Sequence, residues 1–206
     1  MTSTAAGDFW LYNEAAGQRS RFTVLPGDTH GQRFVVEYVN QPYRGETAVP
    51  AHIHTTFTEV FEILRGRAKY RLAGETRTAL AGDRILMPPR VPHVHPWSDS
   101  DEELHVRQTA TSNPPDLAGM IASIQGALTI QGLAQTGLVN DKGVPGLLQT
   151  AVIIEAAMPA TFIAGPPIWL QRAVFGLLSR IGRRRGLQTG YAQYGLITAD
   201  GLQLPG

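Results

Sequence analysis

The sequence predicts a mainly β protein: a small antiparallel barrel followed by a C-terminal extension of about three helices. Three observations carry this reading. Up to residue 112 the chain is cut by Gly, Pro and Asp into short runs with period-two alternation, of which RFTVL, RFVVEYV, EVFEILRG, AKYRLAG, RILMPP and HVRQTAT are the clearest. Close turn signals join them: Gly66 follows one run tightly, and Gly74-Glu75 links AKYRLA to TRTAL as a hairpin. After SNPPD, residues 112–116, the alternation gives way to apolar residues three and four apart.

Taken in order, so many short strands with few helix starts argue for a sandwich or a barrel, because closure removes exposed sheet edges. The Pro-Pro-Asp of SNPPD supplies helix-entry chemistry. LAGMIASIQGALTIQGLAQ, GLLQTAVIIEAAM and the segment from Ile168 to Arg183, which starts after Pro166-Pro167, are the three helices. Glycines at 119, 126, 132 and 137 lower the propensity of the first. The expected division is a barrel over 1–112, a helical extension over 113–186 that packs on the barrel or on a partner subunit, and a tail over 187–206.

Composition narrows the function classes. The 206 residues are 43% hydrophobic, enough for a buried core, and 18 basic against 17 acidic side chains leave a net charge of +1, so no global field draws in nucleic acid or a membrane. With no cysteine, disulfides, thiolate metal sites and thiol nucleophiles are excluded, and a metal must be held by nitrogen and oxygen. The N-terminal stretch has neither a basic n-region nor a continuous apolar run, so a signal peptide is not expected and the cytoplasm is the default compartment.

The chemistry lies in AHIHTTFTEVFEILRG and AGDRILMPPRVPHVHPW. His52 and His54 are two apart, so on extended chain both imidazoles project to one side. The alternation Glu59, Phe61, Ile63 puts the Glu59 carboxylate on a face with bulky apolar side chains, where it needs a partner. One inward Glu is ordinarily a paired core acid and one His a satisfied core histidine. Their joint occurrence, with His93 at the entrance to another strand, shifts the weight to a ligand set of three nitrogens and one oxygen suited to a first-row divalent metal with open positions. His95 and Trp97 share the parity of His93 if that strand is regular, making His95 a candidate proton carrier or extra ligand, with a rim residue as the blander alternative. Glu62, three residues after Glu59, falls on the opposite face and is expected in a surface ion pair. Tyr38, Phe61, Ile63, Tyr70, Met87 and Trp97 are the candidates to line a substrate pocket, although core packing is the safer expectation for the two tyrosines.

These residues resemble the two motifs of the cupin superfamily. Gly45, His52, His54, Glu59 and Gly66 answer the first, with the Glu-to-Gly spacing matching, and Gly82, Pro88 and His93 answer the second in register. The resemblance covers roughly residues 30 to 110 and implies a single jelly-roll-like β-barrel. In cupins the two histidines and the glutamate of the first motif and the histidine of the second bind the metal, a role carried here to His52, His54, Glu59 and His93. The metal implied is a divalent transition ion: Fe, Mn, Ni, Cu or Zn. The leader after Gly45 is one residue longer than the commonest form, Arg90 stands where the second motif has glycine, and Trp97 where it has asparagine. Arg90 is therefore expected to reshape the turn between Pro88 and Pro92.

IWLQRAVFGLLSRIGRRR is amphipathic, with Gln171, Arg172, Ser179, Arg180 and Arg183 on one side and Trp169, Leu170, Ala173, Val174, Leu177, Leu178 and Ile181 on the other. It reads either as a helix that packs its apolar side on the barrel or a second subunit, or as an interfacial membrane anchor; the first is preferred because such helices are far commoner in soluble proteins. Cupins are often dimers, so a homodimer is expected, and the Arg183-Arg184-Arg185 triplet is too short to argue for nucleic acid.

Three functions stay open, because one cupin site supports many chemistries. The first is a dioxygenase acting on a small apolar or aromatic, enolisable or phenolic substrate, with Glu59 taking the substrate proton. The second is a non-redox isomerase, cyclase or lyase in which Glu59 or His95 moves a proton. The third is a small-molecule-binding module without catalysis. They are ranked in that order.

Overall fold

The structure is a computed structural model that describes residues 10–42 and 50–203. Gly45 of the first motif lies outside the described residues. Two antiparallel sheets face each other. One has the order β1 (Leu11–Asn13), β2 (Gln18–Val24), β3 (Arg33–Asn40), β10 (Leu104–Ser112), β5 (Phe57–Arg65), β8 (Arg84–Met87). The other has the order β11 (Thr161–Ile163), β4 (His52–His54), β9 (His93–Ser98), β6 (Arg67–Leu72), β7 (Glu75–Leu80). All six runs singled out by alternation fall on strands, and β6 and β7 form the expected hairpin. Its turn is Ala73-Gly74, both at positive φ, with Glu75 already paired to Leu72.

Alternation decides what faces inward. On β5, Phe57, Glu59, Phe61 and Ile63 are buried, and on β10 Leu104, Val106, Gln108, Ala110 and Ser112 are buried. The outward residues build a ladder of alternating charge. Arg21, Glu37, Arg107, Glu62 and Arg84 are successive cross-strand partners over β2, β3, β10, β5 and β8. The pairs close at 2.7 Å for Arg21–Glu37, 2.9 Å for Arg107–Glu37, 3.7 Å for Arg107–Glu62 and 3.3 Å for Arg84–Glu62. A one-residue slip would break every rung, so the ladder and the buried face specify the same register.

The three helices are α1 (Leu117–Gln135), α2 (Leu147–Ala157) and α3 (Ile168–Arg184). The Asp116 carboxylate caps α1 by accepting from Gly119 N–H at 2.9 Å and also accepts from the Thr56 hydroxyl at 3.1 Å, which ties the helix entry to the barrel. By length and composition α1 is apolar enough to cross a membrane, yet half of it is buried in the fold, where Met120, Ile124 and Leu128 join Phe22, Phe34 and Phe57 in one core cluster. Its glycines lower propensity for a packing reason. A Cβ at Gly132 would run into the Tyr194 ring, so the missing side chain is what lets the C-terminal segment lie against α1.

The extension also enters the barrel. β11, unheralded in the sequence, pairs with β4 as Thr161↔His54, Phe162↔Ile53 and Ile163↔His52. On its other edge the Gln171 side chain stands in for a strand: its Oε1 accepts from Ile163 N–H at 2.9 Å, and its Nε2 donates to Ile163 O and Pro166 O at 2.8 Å each. This bond fixes the rotation of α3 and divides its apolar set. Gln171, Ser179 and Gly182 are the buried residues of α3 and Phe175, Leu178 and Ile181 are half-buried, while Trp169, Leu170, Val174 and Leu177 stay exposed.

Two variants of α helix glycines separate propensity from packing. Gly132→Ala gains propensity but clashes with Tyr194, and a loss of about 1–3 kcal/mol is expected in urea melts; Gly176→Ala, with nothing within 4 Å of the added Cβ, is expected to gain about 0.5–1 kcal/mol. The charge ladder predicts a pH effect. Burial alone would raise the Glu37 carboxyl, but the bonds from Arg21 and Arg107 more than reverse this and hold it below the ordinary glutamate range. A carboxyl lowered by folding contributes stability that is present above its unfolded pKa and lost as pH falls through the folded one. Glu37→Gln is thus expected to cost about 1–2 kcal/mol at pH 7 and to flatten the loss of stability below about pH 4.5, read from urea midpoints across an acid series.

Candidate metal centre

The site forms where the sheets face each other. β5 offers Glu59 from one side; β4 and β9 offer His52, His54, His93 and His95 from the other, with His52 paired directly to His93. One potential ligand atom from each of the five lies within 4.8 Å of all the others, and no other such cluster of His and acidic residues occurs among the described residues. His54, Glu59 and His93 side chains are 8%, 2% and 1% exposed, whereas His95 is 27% exposed, so the cluster opens to solvent at His95.

Each imidazole is oriented from behind. The Nδ1 of His52 is 3.0 Å from Pro50 O and that of His93 is 2.8 Å from Val91 O. A carbonyl only accepts, so these Nδ1 atoms carry the hydrogen and both Nε2 lone pairs point into the cluster. His54 Nδ1 is 2.9 Å from Thr161 Oγ1, its direct cross-strand neighbour on β11, which can take the same hydrogen. Gln108 Nε2 donates to Glu59 Oε1 at 2.6 Å, leaving Oε2 toward His93 and His95, 3.1 and 3.2 Å away.

Burial by itself would raise the Glu59 carboxyl, but the surrounding imidazoles of His95, His54 and His93 more than reverse it, and the group is held well below the usual carboxylate range. His52 is pushed well below the ordinary histidine value by burial and by its three histidine neighbours, and His95 is lowered by burial against the opposing pull of Glu59. The result favours an ionised Glu59 carboxylate beside neutral His52 and His95 imidazoles. His54 Nε2 and His93 Nε2 are buried and lack a hydrogen-bond partner, although Glu59 oxygens stand 3.4 and 3.1 Å away. Two orphaned nitrogen lone pairs converging on a carboxylate are what a bound cation would satisfy, and the donor set fits a first-row divalent ion. This His/Glu cluster could hold a metal ion.

The other expected site residues fall differently. Phe61 has its ring 4.9 Å from His95, and Met87 pairs with Glu59 across the sheet. Tyr38, Ile63, Phe61 and Met87 are closed into a core cluster with Ile85, Leu104 and Val106, with Tyr70 packed against it. The Tyr38 hydroxyl donates to Pro96 O at 3.1 Å. β9 is not regular: its pairing with β6 shifts between Val94 and Trp97, so Trp97 pairs with Lys69 and leaves the face shared by His93 and His95. Glu62 sits on the outer ladder. Arg90 does not reshape its turn; it adopts the left-handed conformation itself, at φ 66°, and its N–H donates to His54 O at 2.7 Å. That hydrogen bond to the ligand strand holds a conformation that costs a residue with a Cβ about 1–2 kcal/mol.

Gln108 and Thr161 are the contacts that sequence reasoning missed. The alternation Val106, Gln108, Ala110 does mark Gln108 as an amide on an inward face. Nothing in TFI, lying between two helices, signals that it joins a sheet more than a hundred residues upstream.

A histidine and glutamate cluster between the sheets of a small antiparallel barrel defines the class. The cupin domain family matches residues 43–108, and over that segment the chain is similar to cupin domains. No curated protein sequence matches it. Among solved structures, a predicted oxalate decarboxylase from Thermotoga maritima is 15% identical, with 54% of this chain aligned to 99% of that one at a TM-score of 0.43. A cupin-like protein from the same organism is 20% identical over 54% and 79% at 0.40, and a polyketide cyclase from Streptomyces resistomycificus is 17% identical over 54% and 70% at 0.39. Likeness of this degree says nothing about chemistry.

His52→Ala and His93→Ala are each expected to lose metal measured by elemental analysis, while Glu62→Ala keeps it; wild-type metal in both histidine variants would sink the assignment. Thr161→Val, which keeps the shape but not the hydroxyl, is expected to weaken metal affinity about 10–100-fold with little change in the melting curve.

Proposed function

We propose that the protein is a metal-dependent enzyme acting on a small, apolar or aromatic, enolisable or phenolic compound, and that it is a dioxygenase. The observation that carries this is the buried Glu59 carboxylate: Oε1 is fixed by Gln108, and Oε2 is aimed at His95, the most exposed member of the cluster. Glu59 is held ionised, so Oε2 can take an acidic C–H or O–H proton from a bound substrate. His95 Nε2, 3.2 Å away and neutral, can receive that proton and carry it to the opening. His52, His54, His93 and Glu59 would hold the metal, which when bound would supply Lewis acidity to the substrate oxygen and a redox centre for oxygen.

The substrate class follows from the surroundings. Phe57 and Phe61 lie 5.3 and 4.9 Å from His54 and His95, and among the described residues no Lys or Arg is buried. A phosphorylated or polyanionic compound would find no counter-ion inside. The second reading, a non-redox isomerase, cyclase or lyase, uses the same Glu59 to His95 proton path and needs no oxygen.

The deciding experiment begins with the metal content of protein purified without a histidine tag, then measures oxygen uptake and substrate loss with β-diketones and phenols, in air and under anaerobic conditions. Iron, copper, manganese or nickel with oxygen consumed in step with substrate is expected. Undiminished turnover without oxygen would move the protein to the second reading, and failure to take up any metal on titration would overturn both. His95→Gln is expected to lower kcat about 10²-fold or more while metal content holds.

A further inference from the structure

We propose that α3 is an interfacial helix that docks the protein on an anionic lipid surface. The inference is independent of the chemistry at the metal centre. A helix on a folded core ordinarily turns its apolar stripe inward. α3 does so only in part: Gln171 faces β11 to complete its hydrogen bonds and Phe175, Leu178 and Ile181 are half-buried, which leaves a second apolar stripe outside. The buried residues of the helix are accordingly Gln171, Ser179 and Gly182. Leu170, Val174 and Leu177, one stripe at four- and three-residue spacing, are 39%, 44% and 59% exposed, and Trp169 at the same end is 71% exposed.

Charge says what covers the stripe. α3 and its C-cap carry Arg172, Arg180, Arg183, Arg184 and Arg185 and no acidic residue, in a chain whose net charge is only +1. Arg183 pairs with Glu155 of α2 at 3.0 Å, and Arg172 lies over the Phe162 ring. Arg180, Arg184 and Arg185 flank or follow the stripe at the exposed surface. A second copy meeting this stripe about a twofold axis would bring like-charged helices together with no carboxylate on either to answer them. An anionic bilayer offers both halves of the match: phosphate oxygens for the guanidinium groups and hydrocarbon for the leucines, with a tryptophan at headgroup depth.

The test is co-sedimentation of the full chain with vesicles of phosphatidylcholine alone or of phosphatidylcholine with one-third phosphatidylglycerol. Binding to the anionic vesicles only is expected, weakening as salt is raised, with a blue shift of tryptophan fluorescence that disappears in Trp169→Phe. Arg180→Gln and Arg184→Gln are each expected to weaken binding about fivefold. Leu177→Glu, at an exposed position, is expected to abolish binding with the melting curve unchanged. Equal binding to neutral vesicles, or none to either, would overturn the proposal. So would a dimer in solution that Leu177→Glu dissolves and vesicles do not compete for, which would put a second copy on the stripe.

Discussion

A carboxylate placed between two apolar sheets has to be compensated, and the architecture around Glu59 is organised by that requirement. Desolvation of an isolated charge there would cost several kcal/mol. The facing sheet answers with four imidazoles and the same sheet with one amide, so Glu59 stays ionised at 2% exposure. The compensation is incomplete without a cation, since the Nε2 atoms of His54 and His93 still lack hydrogen-bond partners. The site is poised for a guest because its donors are fixed from behind by Pro50, Val91 and Thr161 and cannot turn away to satisfy one another.

The outer face solves a related problem by opposite means. There the charges are partly exposed and individually worth little, but they stand in cross-strand register over five strands. A ladder of this kind contributes less through any one pair than through the mismatch it would impose on a slipped strand. The inner carboxylate and the outer ladder use neighbouring residues of one strand: Glu59 faces in and Glu62 faces out, and parity alone assigns them opposite tasks.

Parity is also why much of the molecule was legible in its sequence. The runs RFVVEYV and EVFEILRG carry their own alternation, and the three helices their own spacing, so these elements and the inward set from β5 follow from local chemistry. His52, His54, Glu59 and His93 were legible because two separated motifs keep their spacing. What escaped depended on partners distant in sequence. The bulge that turns Trp97 away from His95 is a property of β6–β9 pairing. The outward apolar stripe of α3 follows from one side chain, Gln171, whose amide serves a strand that the sequence does not announce. Arg90 shows another limit: a residue with a Cβ can occupy a glycine's conformation when a hydrogen bond to the ligand strand holds it there.

The pairing of β11 with β4 makes one margin of the barrel depend on the C-terminal half of the chain. β4 is only three residues long and carries two of the histidines, and β11 covers the edge it would otherwise leave open. The C-terminal half is therefore not an appendage bolted to a self-sufficient barrel. Removing β11 would leave a histidine-bearing sheet margin bare, so the integrity of the donor strand rests on residues more than a hundred positions away.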